Sequence, residues 1–189
     1  LTKEEKARIA SLYEGHPDNV TASVYGGLVI ASHDDKETIV VQSGTPKVEM
    51  ILMTPKQELL TSESREVLPK TLSFKESVRA SSVANVLVAS LLQGDIKTAG
   101  KMMRNDRFHQ PYRSKIVPDL PVISAFGLEH DIDGVALSGA GPSIMCYMSV
   151  GKGEKVFQTL QTEFPTYHCQ IVQPAKEGAT VTVIHQNAL

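Results

Sequence analysis

Four polar side chains crowd into the segment Glu14-Gly15-His16-Pro17-Asp18-Asn19-Val20, between two stretches that read as helices. Two acids and an amide at a helix N-terminus could together hold a metal ion, a substrate ammonium group and a substrate hydroxyl. Taken by spacing alone, a plainer reading is favoured. Asp18 would simply cap the second helix, with Gly15 and Pro17 shaping the turn before it. Asn19-Val20-Thr21 also fits a glycosylation sequon. Leu1 to Lys6 shows no signal-peptide pattern, so the sequon is expected to be a decoy.

A second candidate is Ser138-Gly139-Ala140-Gly141-Pro142-Ser143. Two glycines let a backbone turn bring its N–H groups together, which is how a nest binds phosphate or carboxylate oxygens. The same residues would also serve as an ordinary glycine-rich hairpin turn. A serine-hydrolase elbow is rejected, because Ala136 and Ala140 stand where that motif wants glycine, and strand rather than helix follows. The third candidate is a pair of arginines, in Thr61-Ser62-Glu63-Ser64-Arg65 and in Tyr112-Arg113-Ser114-Lys115. A guanidinium fork grips a carboxylate through two parallel hydrogen bonds, although a surface arginine is ordinarily just solvated. The six histidines lack ligand spacing, and the methionines suit core filling.

These residues need elements to position them. Residues 3 to 14 read as a helix opened by a capping box, Thr2-x-x-Glu5, with Ile9 and Leu12 among its apolar positions and Gly15 as its stop. Asp18 is expected to cap a short helix ending at Gly26-Gly27, and a hairpin is expected around His33 to Lys36. Ser43-Gly44-Thr45-Pro46 is the expected boundary, separating a lobe of residues 1–46 from one of residues 47–189. Beyond it the reading is a strand from Val48, a short helix over Ser62 to Val67, and a long helix from the Ser73-x-x-Glu76 box to Gly94. That helix is apolar nearly all round from Val83, so burial is expected. A helix capped by Asp95 and further short helices follow. Strands at Val135 and Ile144, a helix over Glu154 to Phe164, and strands Tyr167 to Val172 and Thr180 to Ile184 complete the chain. Setting aside the extra helices and the last strand leaves β-α-β-β-α-β. The expected class is α+β: a ferredoxin-like split β-α-β sandwich with extra helices, preceded by the end of a mixed α+β lobe.

Composition narrows the function classes. Net charge is −2 from 19 basic and 21 acidic residues mixed along the chain, so no basic patch suggests nucleic acid or a membrane surface. The longest nearly apolar run, Val83 to Leu92, is too short for a bilayer. Cys146 and Cys169 sit in strand-like segments and are expected to be buried free thiols in a cytoplasmic protein.

Together the segments resemble one family. Glu14 through Val20 with Gly26-Gly27 is similar to the substrate segment of homoserine kinases, members of the superfamily of galactokinase, mevalonate kinase and phosphomevalonate kinase. Thr61 through Arg65 with Val67-Leu68-Pro69, and Pro111 through Ser114 with Val117-Pro118, resemble two further blocks. Leu137 through Ser143 resembles the superfamily's C-terminal glycine motif. The resemblance implies ATP-dependent phosphorylation of L-homoserine, with Mg²⁺. It implies that Arg65 and Arg113 clamp the carboxylate, with Thr61 and Gly139 also at the substrate. Asp18 would lie near the ammonium or the reacting hydroxyl, and Asn19 would position that hydroxyl. Ser138, Gly139, Ala140 and Gly141 would face the phosphates, and Glu14 would hold Mg²⁺. A homodimer is compatible with it. The family's phosphate loop, Pro-x-x-x-Gly-Leu-Gly-Ser-Ser, has no match here, so a preceding ATP-binding portion is expected, whose strands would complete the sheet of residues 28 to 41. Without them, open strand edges are expected to favour aggregation. A mevalonate-type kinase and a non-catalytic amino-acid-binding module are the competing readings.

Overall fold

The computed structural model describes residues 1–182, which form two compact units. Among the described residues, the first comprises Leu1–Pro46 and residues 174–182; the second is Lys47–Gln173.

In the first unit, α1 (Lys3–Glu14) opens on the expected capping box. Thr2 Oγ1 accepts the Glu5 N–H at 3.1 Å, and the Glu5 carboxylate accepts the Thr2 N–H at 2.8 Å. Gly15 ends it in the left-handed region, φ 86°, which suits a residue without Cβ. The helix buries Ala7 and Ser11, while Ile9 and Leu12 stay exposed. α2 (Asp18–Tyr25) follows, with Pro17 rather than Asp18 at the cap. The capping expected of Asp18 is therefore corrected. Proline's fixed φ starts the helix one residue earlier, and Asp18 becomes its first helical residue, turned to His16. β1 (Leu28–His33) and β2 (Thr38–Ser43) pair antiparallel from Leu28↔Ser43 to His33↔Thr38. Asp34 holds their turn by accepting the N–H groups of Lys36 and Glu37, each at 2.8 Å.

Residues 174–182 return to this unit, although sequence reading had grouped them with the second lobe. The Gly27 N–H donates to the Ala175 carbonyl at 2.7 Å and the Ala179 N–H to that of Ser23 at 2.8 Å. A Cβ on Gly26 would collide with the Glu177 backbone, so glycine is what allows the approach. The strand expected over Thr180 to Ile184 lies partly outside the described residues; Thr180 to Thr182 has no regular structure.

In the second unit, β3 (Glu49–Thr54), β4 (Gly134–Leu137), β5 (Ile144–Met148) and β6 (His168–Val172) form an antiparallel sheet in the order β4-β5-β3-β6. This is the strand order of a split β-α-β sandwich, as expected. Side chains alternate across it, so Ile51, Met53, Ile144, Cys146 and Met148 point inward together. α7 (Asp119–Gly127) brings Leu120 and Ile123 to this face, and α8 (Gly153–Glu163) brings Val156 and Leu160. The α8 N-terminus lacks a capping serine or threonine. Instead Glu49 reaches from β3 to accept the N–H groups of Lys152 and Gly153, at 3.0 and 2.6 Å. Both cysteines are buried and free, and burial pushes the Cys146 thiol up to about 12, which leaves it unreactive at neutral pH.

The first crossover carries α3 (Thr61–Glu66), α4 (Phe74–Gln93), α5 (Ile96–Arg104) and α6 (Gln110–Arg113). Asp95 caps α5 as expected, accepting the Thr98 N–H at 3.0 Å. α5 lies directly on β4 because Gly100 and Gly134 face one another. Arg104 pins the same junction, donating to the Ile132 carbonyl at 2.6 Å and to that of Asp133. The burial expected of α4 is corrected. Among the described residues it packs chiefly on α5, turning Ala80 and Ser90 inward, while Val78, Val86 and Leu92 remain 41–52% exposed. One neighbouring helix covers one stripe, and a helix apolar on all sides has more such surface than this unit hides.

Candidate functional site

In the first unit the polar segment lies at the joint between α1 and α2. His16 stands between two carboxylates: its Nε2 is 3.5 Å from Glu14 Oε1, and its Nδ1 is in close contact with Asp18 Oδ1. The Asp18 side chain is 70% exposed. Asn19 follows on the first turn of α2, and its carbonyl accepts the Ser23 hydroxyl at 2.9 Å. His16 is the residue here that sequence reading passed over, because it has no histidine partner at ligand spacing. Its position between acids two residues away on either side was the available signal. Among the described residues no group of three or more His, Cys, Asp or Glu side chains is arranged to hold a metal ion. Mg²⁺ is commonly held by only one or two carboxylates together with substrate phosphates, and Glu14 would fit that donor set as a single carboxylate ligand.

The second unit joins three of the expected segments. α3 places Thr61, Ser64 and Arg65 on one side, at i, i+3 and i+4. Thr61 and Arg65 are exposed, and Ser64 is completely buried. The Ser64 hydroxyl donates to the Ala140 carbonyl at 2.6 Å. Arg113, at the end of α6, donates through Nε to the Ser64 carbonyl at 3.2 Å and through Nη1 to the Gly139 carbonyl at 3.3 Å. α3, α6 and the glycine turn are thus tied into one closed ring of hydrogen bonds.

The turn itself needs its glycines. Gly139 and Gly141 lie at φ 59° and 88°, in the left-handed region where side chains are disfavoured. The Gly141 N–H closes the turn onto the Ser138 carbonyl at 3.1 Å, and the Ser138 N–H donates to the Ser143 carbonyl at 2.8 Å. Ser138 to Gly141, the expected phosphate-facing stretch, therefore directs two carbonyls toward α3 and α6.

Asp106, which the sequence reading also missed, organises the start of α6, the helix that ends on Arg113. The Asp106 carboxylate accepts the N–H groups of Phe108, His109 and Gln110 at 3.0, 2.9 and 2.6 Å, gathering the chain just before α6. The signal was an aspartate shortly upstream of the helix-starting Pro111. Burial alone would raise its pKa. The hydrogen bonds from His109, Gln110 and Phe108 outweigh that and hold it well below the usual carboxylate range. The contribution to stability is therefore complete above the ordinary value of 3.8 and fades as pH falls through the depressed folded value. Asp106→Asn removes the charge and one of the two acceptor oxygens, and is expected to destabilise the protein by ~1–3 kcal/mol at pH 6, the scale of leaving a part-buried N–H unpaired. In urea titrations the gap from wild type should narrow below pH 3.8. A gap that stayed constant down to pH 2 would show that the carboxylate's charge is irrelevant.

The family of GHMP kinase C-terminal domains matches residues 87–166. A homoserine kinase of Shouchella clausii is 48% identical over 183 residues, covering 96% of this chain and 62% of that protein. One from Halalkalibacterium halodurans is 46% identical over 188 residues, covering 99% of this chain and 61% of that protein. The crystal structure of homoserine kinase from Cytophaga hutchinsonii superimposes with a TM-score of 0.77 at 27% identity, over 89% of this chain and 55% of the other. The chain thus spans about three fifths of the length of the curated relatives it matches.

Proposed function

We propose that the whole protein phosphorylates the side-chain hydroxyl of L-homoserine with ATP, giving O-phospho-L-homoserine, because residues 87–166 match the family of GHMP kinase C-terminal domains and the chain is similar to homoserine kinases. The ring that fixes Arg113 against the glycine turn carries this reading within the structure. In the same reading, residues 1–46 end an ATP-binding lobe whose phosphate loop lies outside these 189 residues. The enzyme works in the cytoplasm, in threonine biosynthesis, and a homodimer suits it.

Homoserine is a zwitterion with an alcohol at its far end. Its pocket therefore needs a cation, an anion and a polar group for the hydroxyl. Arg65 and Arg113 are assigned to the carboxylate, supported by Thr61 and Gly139. Asp18 is assigned to the ammonium or the reacting hydroxyl, and Asn19 orients that hydroxyl toward the nucleotide. Bound ATP would supply the transferred phosphoryl group, and Mg²⁺ would offset the charge on its oxygens. Glu14 would hold the metal, and Ser138 to Gly141 would border the phosphates. Phosphoryl transfer has a loose transition state, so holding the hydroxyl in line contributes most of the catalysis, and no strong base is required.

The test is ADP release by the complete protein, phosphate loop included, with L-homoserine, mevalonate and other small alcohols offered separately. Turnover of homoserine well above the rest is the expected result. Preference for mevalonate would replace the ammonium-binding assignment of Asp18 with a sister-kinase reading. Homoserine binding without ADP release would point to a sensor module.

A further inference from the structure

We propose that Ser64 is a positioning residue of this site. Its hydroxyl fixes the Gly139–Gly141 turn and, through the Gly139 carbonyl, the Arg113 guanidinium. This deepens the homoserine reading and rests on it.

Ser64 shows no exposure, so its hydroxyl is out of reach of solvent. At a buried helical position alanine would fill nearly the same space with better helix propensity. What the oxygen adds is a hydrogen bond of 2.6 Å to the Ala140 carbonyl, across 76 residues of sequence. The turn it holds has two glycines at positive φ, which have no side chains with which to anchor themselves. The Ser64 carbonyl then accepts Arg113 Nε, and the turn's Gly139 carbonyl accepts Arg113 Nη1. One residue thereby sets the turn from one side and the guanidinium plane from the other. A fork that must meet a planar carboxylate depends on such orientation.

The experiment uses the complete enzyme carrying Ser64→Ala, Arg113→Ala or both. Ser64→Ala is expected to raise the homoserine KM roughly 3- to 10-fold, the worth of one ordinary hydrogen bond. In the Arg113→Ala background the same change should raise it no further, since the groups act as a unit. Amides of Gly139 to Ser143 should exchange hydrogen faster in Ser64→Ala, with no substrate present. An independent, additive rise in KM would overturn the proposal. So would a fall in kcat alone, which is what a smaller folded fraction gives, or unchanged exchange at the turn. Should the alanine variant not fold, Ser64→Cys, near in size with only a weak donor, is held to the same outcomes. A wild type that ignores homoserine would sink the substrate reading instead, and exchange would still decide whether Ser64 holds the turn.

Discussion

Arg113→Ala is expected to weaken homoserine binding by about 10- to 150-fold, the equivalent of ~1.5–3 kcal/mol for a lost charge-assisted contact. The estimate rests on where the guanidinium is held. Nε and Nη1 donate to two backbone carbonyls, Ser64 and Gly139, so the fork has one orientation before any ligand arrives. Orientation settled in advance lowers the entropic cost of gripping a carboxylate. Arg113→Lys keeps the charge but cannot reproduce two directed donors, so it should restore only part of the loss. Calorimetric titration of homoserine into the complete enzyme reads both variants. Unchanged affinity in Arg113→Ala would remove this residue from the pocket.

Gly100→Ala should be the most damaging conservative change in the second unit, costing ~3 kcal/mol or more, the upper range for an overpacked core. A Cβ at this position would run into the backbone of Asp133 and lie 2.7 Å from the Gly134 nitrogen. Neither obstacle is a side chain that can swing aside. α5 would have to lift off β4, stretching the bonds from Arg104 to the Ile132 and Asp133 carbonyls. Alanine ordinarily strengthens a helix interior, so propensity predicts the opposite sign. A urea midpoint equal to or above wild type would mean that the α5–β4 junction yields at little cost.

Much of the architecture was legible because local chemistry and tertiary demand agree. Thr2 and Asp95 cap the helices their positions imply, and the alternation through Ile144, Cys146 and Met148 puts one strand face in the core. Local patterns failed where a distant partner decides. The apolar girdle of α4 suggested burial, but exposure depends on how many neighbours arrive, and α5 alone covers one side. Asp18 looks like a cap until Pro17 takes the position. At the site, the arginines and the glycine turn announce themselves by type. Ser64 does not, since a serine in a short polar helix reads as solvated and only the fold shows it buried against Ala140.

The return of residues 174–182 to α2 and β1 has a consequence for how the chain matures. The ribosome releases the tail's partners at Ser23 and Gly27 long before it makes Ala175 and Ala179. The early unit must therefore wait, incomplete, while the entire inserted unit emerges. Two peptide crossings, at Pro46–Lys47 and Gln173–Pro174, join the units. Any attempt to excise one by a single cut would consequently leave the first unit without its closing segment.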